Sequence, residues 1–107
     1  MPESRDEIFA RQRAERGWDD RETWSLDYTV AKFMLPRLQR FREVKAGHPA
    51  GMTMEEWQEI LGKIEFALTC TIKDLDDDNG VIVPQEDHEK WQEGNELLGK
   101  WFNALWW

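Results

Sequence analysis

One cysteine, one tyrosine, two histidines and no long apolar run set the first limits on this chain of 107 residues. The lone Cys70 excludes an internal disulfide and any metal site built on a cysteine cluster. No apolar stretch approaches the roughly 20 residues of a membrane span. The opening Met1-Pro2-Glu3-Ser4-Arg5 lacks the apolar segment of a signal peptide, so a cytosolic protein is expected. Neither histidine is spaced to serve a nucleophile: His48 precedes Pro49 in a loop, and His88 falls in an acidic first turn. No Glu-x-x-His pair exists for a di-iron bundle. No glycine-rich phosphate loop exists either, since Gly47 and Gly51 only bracket a His-Pro-Ala turn. Cys70, with no histidine near it in sequence, reads as a small buried thiol. Asp74-x-Asp76-x-Asp78 opens like a calcium loop, but Asn79 and Gln85 stand where that loop needs glycine and a bidentate glutamate. Segment 73–83 is therefore read as a solvated acidic loop. Neither an enzyme, nor a cofactor, nor a metal is expected.

Tryptophan, by contrast, is abundant: seven residues, at positions 18, 24, 57, 91, 101, 106 and 107. A domain of this length fills its core with one or two indoles, each of which also wants an acceptor for its N–H. The surplus points to aromatic surface kept for a partner, a second copy of the chain, or a flat ligand. Hydrophobic content of 40% with 12% aromatics argues against disorder despite 34% charged residues. One domain, residues 1–107, is expected.

The net charge of −8 is unevenly spread. Residues 1–48 hold ten Lys/Arg against nine Asp/Glu, and residues 49–107 hold four against thirteen. All eight arginines lie at or before Arg42. Binding of a nucleic-acid backbone is not expected, because phosphate contacts need a concentrated positive field. The asymmetry suits head-to-tail association or a basic partner, and equally an ordinary solvated surface.

Helices are marked by their punctuation. Ser4 with Glu7 fits a capping box and opens a short helix over 5–16 that Gly17 ends. Asp19 with Glu22 opens a second, and Thr53 with Glu56 a third, with Met52 and Trp57 at the two positions of a hydrophobic staple. Pro84 suits the first turn of a last helix. The fold expected is all-α, a small bundle of three main helices plus the short N-terminal one. Residues 54–72 carry one apolar stripe through Trp57, Ile60, Leu61, Ile64 and Leu68. Residues 85–106 do the same through Trp91, Leu98, Trp101, Phe102 and Leu105. The helix over about 20–43 is apolar around most of its circumference, with a narrow polar stripe that includes Pro36. That pattern predicts the central helix or half of an oligomer interface, kinked at Pro36 without disturbing its packed side.

Two charges interrupt that apolar surface, Asp27 and Arg42. An unpaired buried carboxylate costs several kcal/mol, so Asp27 is expected to be paired, with Arg37 and Arg40 as candidates, or to line a cavity. The functional alternative is a pocket walled by Trp24 and Tyr28, in which Asp27 with Arg37, Arg40 and Arg42 orients a ligand. At the other end, Trp101 continues the core stripe, while Trp106 and Trp107 form a sticky patch unless covered. Trp101, Trp106 and Trp107 are the candidate interface, and a homo-oligomer, most simply a twofold dimer, is expected.

The run from Arg16 to Phe41, with its Trp24-Ser25-Leu26-Asp27-Tyr28-Thr29 and Pro36-Arg37-Leu38-Gln39-Arg40-Phe41 segments, resembles small hypothetical proteins of tailed bacteriophages and prophages. The resemblance continues through His48-Pro49 and Met52 to Trp57, covers about residues 16–70, and returns loosely near Gly94. It implies phage origin and residence in the host cytoplasm, and carries no activity. On that basis the expected function is non-enzymatic counter-defence, either inhibition of a host immune protein or sequestration of a nucleotide immune signal. A small assembly or virion-accessory protein is the alternative. Arginines turned inward beside Trp24 and Tyr28 would favour the nucleotide; arginines facing water would remove its motivation.

Overall fold

The local punctuation becomes structure in a computed structural model that describes residues 2–75 and 83–106. Helix α1 spans Arg5–Arg16, α2 Leu26–Val44, α3 Met54–Leu75 and α4 His88–Trp101. Short 3-10 turns occupy Asp20–Thr23, Gln85–Asp87 and Phe102–Ala104, and no strand occurs among the described residues. Ser4 caps α1 by accepting from the Glu7 amide, and Gly17 ends it at φ 83°, a left-handed position that suits glycine. Thr53 and Glu56 satisfy each other's amides at 3.1 Å, the reciprocal box that starts α3.

Helix α3 is the middle of the molecule. Trp57, Leu61, Ile64, Ala67, Leu68, Cys70 and Thr71 are all buried along it. From one side α2 brings Ala31 and Leu38, and from the other α4 brings Leu97, Leu98 and Trp101 to the same cluster. Full burial of a side chain such as Leu61 or Ile64 contributes about 1.5–3 kcal/mol each. Among the described residues α2 and α4 pack on α3 without approaching each other's backbone. Gly94 lets α4 lie flat on α3: a Cβ there would stand 2.3 Å from the Lys63 carbonyl oxygen and 2.5 Å from the Ala67 Cβ.

The apolar helix near residue 20–43 is thus corrected in two respects. Its first turn is not α-helical, because Asp19 caps a separate 3-10 turn and the α-helix restarts only after Ser25. Nor is it central: only Ala31 and Leu38 are buried, and Leu26, Val30 and Phe33 are 58%, 47% and 62% exposed. Among the described residues a helix flanking α3 on one side meets no second layer on its outer face. Pro36 lies inside α2 and is exposed, as its place on the polar stripe predicts.

Among the described residues helix α1 packs on the Asp20–Thr23 turn and on Asp19 and Trp24 at its two ends. The radius of gyration is 17.2 Å and the extents are 62 × 34 × 20 Å, against about 13 Å for a compact chain of this length. The molecule is a three-helix slab with an N-terminal arm.

Candidate functional site

That arm is fastened by a carboxylate the sequence marked only as a cap. Asp19 is 2% exposed. Its oxygens accept from the Arg21 amide, from Arg21 Nε and Nη2 at 3.0 and 2.8 Å, and from Arg13 Nη1 at 2.6 Å. Its own amide donates to Glu22, closing the capping box. Hydrogen bonds from Arg21 and then Arg13 hold the Asp19 carboxyl far below the usual aspartate range, against the opposing effect of burial. Above it, Phe9 meets the Trp24 ring edge-on at 5.8 Å, and Arg21 and Arg5 lie over the Phe9 ring. Arg13-x5-Asp19-x-Arg21 is the pattern that carries this node, and only the fold brings Arg13 back to it.

The six candidate ligand residues do not converge within one chain. Trp24, 61% exposed, and half-buried Tyr28 border a shallow cavity of 310 Å³ with Arg21, Ser25, Thr29 and Leu75. Asp27 is exposed and makes no hydrogen bond or ion pair among the described residues. Its expected burial is corrected: it sits in the first turn of α2, where water reaches it and no desolvation cost arises. Arg37 stacks at 3.8 Å on Phe33 and donates to the Phe33 carbonyl, and Arg40 pairs with Glu43. Neither pairs with Asp27. Arg42 turns to α3, where it donates to Gln58 at 3.1 Å and Glu65 at 2.5 Å above Gly62. It is a cross-helix tie, and it lines a separate cavity with Gln39, Glu43 and Lys45.

Another cavity, of 680 Å³, lies on α3 between Gln39 of α2 and the Val83–Asp87 segment, floored by Gly62, Phe66, Thr69 and Cys70. Its charged lining is Lys73 with Glu65 and Asp87, a set poorly suited to a phosphate. Burial, with Asp87 nearby, pushes the Cys70 thiol up, away from thiolate chemistry. Among the described residues no three His, Cys, Asp or Glu side chains are grouped to hold a metal ion, and no helix is long and apolar enough to cross a membrane.

At the C-terminal end, Trp101 is half-buried, with its ring edge-on to Trp57 at 5.8 Å. Its Nε1 is buried without a partner among the described residues. Phe102, expected in the core stripe, is 61% exposed. The α-helix gives way there to a 3-10 turn, which rotates each residue further and swings Phe102 off the packed face. Trp106 is 76% exposed beside a cavity of 420 Å³ walled by Trp57, Ala104, His48 and Pro49. Trp107 and most of the acidic loop lie outside the described residues. Comparison of the chain with known protein families, with curated proteins and with solved structures finds no match.

Proposed function

We propose that this chain is a phage-encoded, non-enzymatic binding protein that acts in the host cytoplasm as a counter-defence inhibitor, occluding a host immune protein. The observation that carries the reading is the exposed aromatic end, Trp106 at the Trp57-floored cavity and Phe102 four residues before it. Large apolar side chains left in water at a concave, rimmed site are what a protein partner covers. The acidic character of residues 49–107 adds steering towards a basic partner surface. Phage origin rests on the resemblance described above. Sequestration of a nucleotide signal has less support, because Arg37 and Arg42 are engaged on Phe33 and Glu65 and the cavity at Trp24 is lined, among the described residues, by neither of them. Neither nucleic acid nor membrane enters this reading.

The test is expression of the protein in a panel of defence-carrying hosts followed by phage plating. Plaque formation is expected to recover on at least one host and to be lost with the Phe102→Ala, Trp106→Ala pair, whose exposed side chains leave the fold intact. Unchanged plating on every host, together with the protein in purified virions, would replace this reading with an assembly or virion-accessory role.

A further inference from the structure

We infer that the outer face of α2 is a contact between two copies of this chain, paired antiparallel about a twofold axis beside Val30 and Phe33. Leu26, Val30 and Phe33 stand four and three residues apart and form one stripe, each about half or more exposed. Arg37 continues it by one turn, its guanidinium laid over the Phe33 ring and tied to the Phe33 carbonyl. Among the described residues no element covers this stripe: α1 packs on the 3-10 turn and its flanks, and α4 does not reach α2.

The charges choose the occupant. Asp27 borders the N-terminal end of the stripe, exposed and without a bond among the described residues. Arg37 stands at the C-terminal end, ten residues on. An antiparallel partner helix sets each Asp27 against the other copy's Arg37, twice by symmetry, and opposes the two helix dipoles. A parallel arrangement would put like charge on like. This face is therefore complementary to itself, which an apolar stripe alone would not establish. The three side chains expose on the order of 300 Å², short of the roughly 800 Å² per partner of a standard interface. The pairing is accordingly a concentration-dependent one, and it is independent of the partner proposed for the Trp106 end.

Sedimentation equilibrium over a range of concentrations tests it. The wild-type chain is expected to reach twice its 12.8 kDa mass. Phe33→Glu should remain monomeric with an unchanged circular-dichroism spectrum and, at concentrations where the wild type is also monomeric, an unchanged melting temperature, since in the single chain the side chain it replaces faces water. Asp27→Arg and Arg37→Asp should each weaken association about tenfold, and the two together should restore most of it. A wild-type monomer throughout the soluble range would overturn the inference. So would a dimer indifferent to Phe33→Glu, or charge reversals that add instead of compensating. A dimer lost only when the chain stops at Leu105 would move the contact to the tryptophan end and equally overturn it.

Discussion

At Gly94 the two best-packed helices of the molecule meet backbone to side chain. A methyl group there has nowhere to go, because one obstacle is the Lys63 carbonyl, which cannot swing aside. Gly94→Ala is therefore expected to destabilise the fold by about 1–3 kcal/mol, by overpacking. Gly99, on the same helix, has nothing within 4 Å of its would-be Cβ. Gly99→Ala should stabilise instead, by up to about 1 kcal/mol, through helix propensity. Denaturant unfolding of the two variants checks both signs; equal effects would mean that α4 does not rest on α3 as described. A second residue-scale expectation concerns Cys70. Buried, with a raised thiol pKa, it should react with a thiol reagent only as fast as α3 is uncovered, and Gly94→Ala should accelerate that reaction. Rapid labelling of the native wild-type chain at neutral pH would contradict the burial.

Among the elements, α1 with its 3-10 turn depends on a single carboxylate. The native Asp19 value is depressed, so its contribution is complete above the ordinary aspartate value of 3.8 and is lost as pH falls below that towards the much lower native value. The arm should accordingly loosen in acid before the slab does. Hydrogen exchange resolved by residue is the measurement: Asp19→Ala at neutral pH is expected to strip protection from residues 5–23 and to leave α3 protected. Loss of protection in both would mean that the arm and the slab unfold together. This element also shows what sequence can and cannot disclose. Caps at Ser4, Asp19 and Thr53 were legible because each is closed within three residues, and the α3 stripe because its period is local. Which apolar helix lies in the middle was not, since Leu26, Val30 and Phe33 have the composition of a core and differ from one only by their exposure. Asp27 was misplaced by the same step, and Phe102 by a change of helix type one residue before it.

At the scale of the whole molecule, the separation of arm and slab sets the shape. Cα atoms spread to a radius of gyration of 17.2 Å, and α1 gives no residue to the hydrophobic cluster. Residues 26–106 hold the hydrophobic cluster, and Ser25 stands at the N-cap of α2. A chain beginning at Ser25 is thus expected to keep its helices α2, α3 and α4 and its cooperative melt. Its radius should fall towards about 12 Å, the value for a compact chain of that length. Small-angle X-ray scattering with calorimetry reads both quantities, best in the Phe33→Glu background so that pairing does not enlarge the particle. Trp24 and Phe9 leave together in this deletion, so their edge-on pair is removed whole. If the shortened chain instead loses its sharp melt, the arm braces the slab through the start of α2, where Thr29 donates to the Glu22 carbonyl at 2.8 Å. That single bond is then the place to cut next, and Thr29→Val in the full chain should reproduce the loss.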